Sequence, residues 1–164
     1  MTYSIRPLGA EHQVSKFTCG KGELDNYLQS TAKQHQSKDV ARTYVIVDDD
    51  DPGMIIGFFT MAIRSMTCKD EMPVSMAKRL PSNVPGYTLA RLAISKSHQG
   101  QGLGEKLLVE AMTKAKAAAK EVDGFALFVD AKDEDAAGFY KKYGFTSFPS
   151  NPLILVIPIA SIPG

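Results

Sequence analysis

Tryptophan is missing from this sequence, cysteine occurs only twice and histidine three times, and the formal net charge is just +1. Cys19 and Cys68 stand alone, so they make neither a disulfide framework nor the spaced ligands of a metal site. No apolar run reaches the length of a membrane span, and Met1–Pro7 lacks the basic-then-apolar layout of a signal peptide. Internal repeats, low-complexity blocks and linkers are absent too. What remains is ordinary globular composition, 44% hydrophobic and 23% charged in 164 residues, enough for one sizeable core. The expectation is a single domain over residues 1–164, in a reducing cytoplasm, with no metal and no membrane contact.

Acid is missing locally as well. From Met72 to Gly104 there is no Asp or Glu, although Lys78, Arg79, Arg91 and Lys96 lie there. A second basic cluster, Lys33, His35, Lys38 and Arg42, precedes it, while acid gathers in Asp48–Asp51 and Asp130–Asp135. Such segregation makes a basic face on a neutral protein, unless the clustering exists only in the linear string.

Ser4–Pro7 reads as a short first strand, and Leu24, Tyr27, Leu28, Thr31 and Ala32 follow helical spacing after Gly20 and Gly22. Arg42–Val47 predicts a strand, Asp48–Gly53 a turn and Met54–Met66 the returning strand, with a short helix over Ser75–Leu80. Then come a strand at Thr88–Ile94, a glycine-rich turn, a helix from about Gly104 to Lys120, and a continuous apolar strand at Phe125–Asp130. Asp133–Tyr143 is helical by spacing, and Leu153–Ile159 closes the chain as a strand. This order is that of an α/β (α+β) protein. The run from Thr88 to Tyr143 calls for a parallel strand pair joined by a crossover helix.

Between that strand and helix stands Gln99-Gly100-Gln101-Gly102-Leu103-Gly104. Glycines open backbone conformations closed to other residues and let a ligand approach the main chain. The first N–H groups of the helix lack internal partners and carry partial positive charge, which suits a phosphate or pyrophosphate. Lys-Ser/Thr does not follow, so this is no P-loop, and the turn comes too late in the chain for a Rossmann first unit.

In this turn, between a strand and a helix, Gln99, Gly102 and Gly104 match the cofactor motif of the GNAT superfamily of N-acetyltransferases, which the sequence resembles. A later pattern, Ala136, Tyr140, Gly144 and Phe145, also resembles that family. The resemblance implies the GNAT fold, a mixed central β-sheet flanked by helices with a parallel β-α-β cofactor unit, and acetyl-coenzyme A as co-substrate. Its pantetheine arm would pair with the backbone of Leu92, Ala93 and Ile94, and its pyrophosphate would rest on the turn Gln99–Gly104. The family often has Asn seven residues before the tyrosine, on the pantetheine; here that residue is Asp133.

Acetyl transfer to an amine needs a neutral amine, a stabilised oxyanion and a protonated leaving thiolate. A backbone N–H on Leu92–Ile94 would face the oxyanion if the neighbouring strand splays away. Tyr140 would supply the leaving-group proton, as the resemblance implies, or would be one member of the apolar stripe Ala136–Tyr143. The Gly-Phe beyond it favours the first reading, while Tyr143 reads as core. His12, His35 and His98 are each isolated and read as surface residues, so no general base stands out. A lysine amine, pKa about 10.4, usually needs one, whereas an α-amine near about 7.7–8.0 is often neutral already.

Phe17-Thr18-Cys19-Gly20, Leu24-Asp25-Asn26-Tyr27-Leu28, Ala41-Arg42-Thr43-Tyr44-Val45 and Leu89-Ala90-Arg91-Leu92-Ala93-Ile94 resemble the GNAT toxins of bacterial toxin–antitoxin pairs. That resemblance implies acetylation of the α-amine on charged transfer RNA, arrest of translation, and silencing by a ribbon-helix-helix antitoxin. It also implies contact with operator DNA only through the antitoxin, and leaves room for a homodimer. On this reading transfer RNA would meet Lys33, Lys38, Lys78, Arg79 and Arg91, with Arg91 either serving the acceptor end or bracing the fold. A GNAT enzyme acting on a small-molecule amine, a protein lysine or a protein N-terminus is the alternative. A non-catalytic coenzyme A sensor would not need Tyr140, and a plain nucleic-acid-binding module would leave the turn unexplained.

Overall fold

The computed structural model describes residues Thr2–Gly164. Its strands are β1 (Tyr3–Pro7), β2 (Arg42–Asp48), β3 (Asp51–Cys68), β4 (Asn83–Ile94), β5 (Ala126–Asp130), β6 (Thr146–Ser147) and β7 (Ile154–Pro158). Its α-helices are α1 (Gly22–Ser30), α2 (Ala32–Ser37), α3 (Val74–Ala77), α4 (Leu103–Val122) and α5 (Glu134–Lys141). The strands form one seven-stranded sheet in the order β1-β2-β3-β4-β5-β7-β6. β4 and β5 run parallel, and β1 with β2, β2 with β3, β5 with β7 and β6 with β7 are antiparallel. This is the mixed sheet with a parallel cofactor unit that the family resemblance implies.

The described residues divide into two compact units, one holding residues up to Ala62 with Ala90–Ala111, the other Ile63–Leu89 with Met112–Gly164. In the first, Phe17, Tyr27, Leu28, Val45, Val47, Phe58 and Ala93 make an apolar cluster sealed by the inner face of α1. In the second, Met72, Val84, Ala126, Phe128, Phe148 and Val156 make another. β5 is buried from Ala126 to Val129, as its unbroken apolar run requires.

Several boundaries differ from the sequence reading. The stripe from Leu24 to Ala32 is two helices, because Thr31 sits between them at φ −124°, ψ −35°, outside the helical well. The expected turn over Asp48–Gly53 is tighter, with Asp48 already opposite Asp51 and the Asp48 carboxylate accepting from the Asp50 N–H at 2.9 Å. α3 ends at Ala77 rather than Leu80, entered from Pro73 at its N-cap. β4 begins at Asn83, since Gly86 and Tyr87 already pair with Ala126 and Leu127. The two-residue β6 carries no pattern long enough to read.

Gly86 illustrates how closely the parallel pair approaches. A Cβ there would lie 2.6 Å from both the Ala126 carbonyl oxygen and the Phe128 ring. Gly86→Ala is therefore expected to destabilise the protein by about 1–3 kcal/mol, the usual range for overpacking. Urea unfolding measures it, and an unchanged midpoint would show that the pair can spread.

Candidate active site

The glycine-rich turn is built by β4 delivering the chain to its own surface. After Ile94, the Ser95 N–H donates to the Ile56 carbonyl at 2.7 Å and the Lys96 N–H to that of Thr18 at 2.9 Å. A 3-10 turn over Lys96–His98 follows. The Gln99 side-chain amide then donates to the Cys19 and Ile94 carbonyls, both at 2.9 Å. Both N–H groups of that amide are thus spent on the turn itself, so Gln99 has only its main-chain N–H to donate to a ligand.

Gly100 and Gly102 have φ of +79° and +78°, the left-handed region that a side chain disfavours. A Cβ at either would meet nothing within 4 Å, so backbone conformation, and not crowding, demands glycine, and open space lies before the turn. Leu103, only 3% exposed, anchors the first residue of α4 in the core. Gly104 and Glu105 complete a first helical turn whose N–H groups have no partner inside the helix. A twenty-residue helix carries its full dipole to that end. The residues present therefore fit a pyrophosphate. A groove of about 730 Å³ beside the turn is lined by Gln101, Gly102 and Lys106 but also by Glu105 and Glu110. Its two carboxylates make it a poor second seat for phosphate.

The last residues of β4 present backbone in the same unit. The parallel register with β5 ends at Leu89 opposite Val129, and β4 continues beyond it from Ala90 to Ile94. Ala93 is buried in the apolar cluster, while Leu92 and Ile94 are half-buried. Gly57 of β3 makes room for them, for a Cβ there would lie 2.6 Å from Ile94 Cδ1 and 2.9 Å from the Ala93 carbonyl oxygen.

Tyr140 lies on α5, 6% exposed, with its ring edge-on to Phe139 at 5.3 Å and Phe145 at 5.6 Å. Burial pushes its phenol well above the ordinary tyrosine range, so the hydroxyl keeps its proton at any physiological pH. Such a group can donate a proton and cannot act as a resident base. Tyr143 packs on Phe139 at 5.2 Å, in keeping with a packing role. Asp133 is the N-cap of α5, where its Oδ1 accepts from the Ala136 N–H at 2.9 Å. One oxygen of this carboxylate is thus committed to the helix.

The basic residues fall into two sets. Lys33 and Lys38 are exposed in and just after α2, and Arg91 is half-buried in the same unit. Its guanidinium carbon lies 3.7 Å from the centroid of the Tyr27 ring, so Arg91 does brace the fold, by a cation–π contact. Lys78 and Arg79 are exposed just past α3, in the other unit.

The histidines need correction. His12 is not a surface residue but only 5% exposed, its Nδ1 accepting from the Gly9 N–H at 2.9 Å. Burial holds it below the usual histidine range, hence neutral. His35 is half-buried, with Nδ1 3.2 Å from the Tyr27 hydroxyl, and His98 Nδ1 is 2.8 Å from Ser97 Oγ. Burial raises the Cys19 thiol, which leaves it a poor nucleophile. Among the described residues no group of three or more His, Cys, Asp or Glu could hold a metal, and no helix is long and apolar enough to cross a membrane.

One cluster escaped sequence reasoning. Arg64 of β3 stacks over Phe128, 4.7 Å from the ring centroid, and approaches Thr88 and Asp130. Only strand register brings these together, and no spacing in the linear sequence signals it.

Residues 39–147 match the family described as acetyltransferase (GNAT) domain. Over 152 residues the chain is 31% identical to the tRNA-acetylating toxin of Mycobacterium tuberculosis, across 93% of this chain and 89% of that protein. The solved structure of AtaT complexed with acetyl-methionyl-tRNAfMet is 31% identical with a TM-score of 0.90, over 98% of this chain and 97% of that one. A tyrosine-to-phenylalanine variant of AtaT bound to acetyl-CoA and the C-terminus of the antitoxin AtaR is 29% identical, with a TM-score of 0.83 over 98% and 95%. Motifs, sheet order and whole-length likeness agree, and the chain belongs to the GNAT acetyltransferase family.

Proposed function

We propose that this protein transfers the acetyl group of acetyl-coenzyme A to the α-amine of aminoacyl-tRNA and, by doing so, blocks translation as the toxin of a bacterial toxin–antitoxin pair. The observation that carries this reading is the likeness, along nearly the whole chain, to AtaT holding acetyl-methionyl-tRNAfMet. The two compact units serve as one catalytic domain working in the cytoplasm. A ribbon-helix-helix antitoxin is its partner, and operator DNA is reached only through that partner. The example of AtaT with the C-terminus of AtaR supports an antitoxin tail as the silencing element.

In this reading the turn Gln99–Gly104 holds the pyrophosphate through main-chain N–H groups, and Leu92, Ala93 and Ile94 align the pantetheine arm. When bound, acetyl-coenzyme A supplies an activated acyl thioester. A backbone N–H of β4 beyond Leu89 polarises the carbonyl, and Tyr140 delivers its phenolic proton to the leaving sulfur. Asp133 spends one carboxylate oxygen on capping α5, so only the other is left for the pantetheine. No general base is needed because an α-amine is neutral in roughly a tenth of molecules or more near pH 7. His12, buried and neutral, and Cys19, buried with its thiol raised, do not compete as base or nucleophile.

Gly102→Glu is expected to abolish coenzyme A binding in calorimetry, since it puts a side chain and a negative charge on the phosphate seat at a positive φ. Retained micromolar affinity would remove the turn from the cofactor site.

Tyr140→Phe is expected to slow acetylation of total charged transfer RNA by about ten- to ten-thousand-fold while leaving coenzyme A affinity unchanged. Labelled acetyl-coenzyme A supplies the assay. Label on free polyamines or protein lysines, with charged transfer RNA untouched, would move the assignment to an ordinary amine acetyltransferase.

The salt dependence of binding tests the basic residues. Affinity for transfer RNA should fall steeply with salt, and Lys78→Glu with Arg79→Glu should flatten that slope by about two phosphate contacts. An unaltered slope would exclude both side chains from the RNA surface.

A further inference from the structure

Arg64 is engaged on several sides within the second unit. It is 18% exposed and stacks on the fully buried Phe128. Its Nε donates to Thr67 Oγ1 at 3.2 Å, and its Nη1 lies 3.5 Å from both Thr88 Oγ1 and Asp130 Oδ2. A guanidinium fixed on three sides holds its fourth partner in one place. That partner, Asp130, is the last residue of β5, one position beyond the final pair of the parallel register. Its side chain is nonetheless 60% exposed.

This arrangement is costly if it is only structural. An ion pair exposed on one side contributes little to stability, whereas ordering an arginine costs rotamer entropy. In open sheets with parallel strands, ligands bind at the carboxyl ends of those strands, and Asp130 stands at such an end. A carboxylate there repels RNA phosphates, so on an enzyme for charged transfer RNA it has one suitable substrate group, the α-amine of the aminoacyl end.

We propose that Asp130, held by Arg64, accepts a hydrogen bond from the substrate α-amine and so selects aminoacyl ends that carry a free amino group. The inference rests on the reading of charged transfer RNA as substrate. The nitrogen becomes cationic as its bond to the acetyl carbon forms, and a fixed carboxylate stabilises that charge. As the carbon–sulfur bond breaks, Tyr140 protonates the sulfur, and the nitrogen releases its surplus proton to solvent water, from which the tyrosinate is reprotonated. Asp130 ends as it began, still ionised. In this role the carboxylate orients and stabilises the nitrogen and does not remove its proton.

Asp130→Asn keeps the shape and an oxygen for Arg64 but removes the charge. Two probes suffice, total transfer RNA charged with its natural amino acids and the same RNA charged with the matching α-hydroxy acids. The wild-type protein should bind the amino form more tightly by about tenfold or more, as expected of a hydrogen bond to a charged group. Asp130→Asn should bind both forms alike and lose about ten- to a hundredfold in kcat/KM, with unchanged melting temperature and coenzyme A affinity. Equal discrimination and turnover in the two proteins would overturn the proposal and leave a plain ion pair. Parallel losses in melting temperature and coenzyme A affinity would overturn it in favour of a structural brace. Wild-type protein that acetylates no charged transfer RNA would instead defeat the parent reading, and this one with it.

Discussion

The site depends on the Gln99 side chain, whose amide ties the Cys19 and Ile94 carbonyls to the start of the glycine turn. A loop of three glycines would otherwise be entropically loose, because glycine loses more freedom on ordering than any other residue. Gln99 fixes one end and buried Leu103 fixes the other. Between them Gly100 and Gly102 adopt positive φ, with open space where their side chains would lie. Permissive residues make the geometry attainable, and two anchors make it permanent. A preorganised turn of this kind would lose little ordering entropy on binding a pyrophosphate.

Electrostatics divide the labour. Exposed Lys33, Lys38, Lys78 and Arg79 are free to meet a polyanion, whereas the two arginines of β3 and β4 are committed to aromatic rings. Arg91 on Tyr27 and Arg64 on Phe128 keep their charge while covering apolar surface, which a lysine does less well. Arg91 thereby braces α1 and still presents part of its guanidinium. Arg64 instead directs a carboxylate outward. Exposed cations and one outward-held carboxylate are thus carried by different elements of the protein.

The chemistry is equally economical. His12 is buried and neutral, His35 is bonded to Tyr27, and Cys19 is held protonated by burial. What remains is a phenol, Tyr140, whose proton is secured by the same desolvation that packs its ring among Phe139 and Phe145. The two readings of Tyr140, apolar stripe and proton donor, are therefore compatible: packing keeps the phenol protonated, as a donor would need.

Elements with strong period or punctuation announce themselves in the linear chain. The unbroken apolar run of β5, the stripe of α4 and the glycine turn between β4 and α4 were legible because burial on both faces, helical spacing and positive φ each restrict residue choice locally. The family of the chain was legible for the same reason, its motif being a backbone requirement written in glycines. Tertiary structure alone decided the rest. Thr31 breaks one stripe into two helices, β4 starts at Asn83 through pairing with β5, and His12 is buried by neighbours that no spacing reveals. The Arg64–Phe128–Asp130 cluster joins β3 to β5, elements far apart in the sequence. Side-chain chemistry across strands depends on register, and register is fixed by the packing of whole faces rather than by any residue's own preference.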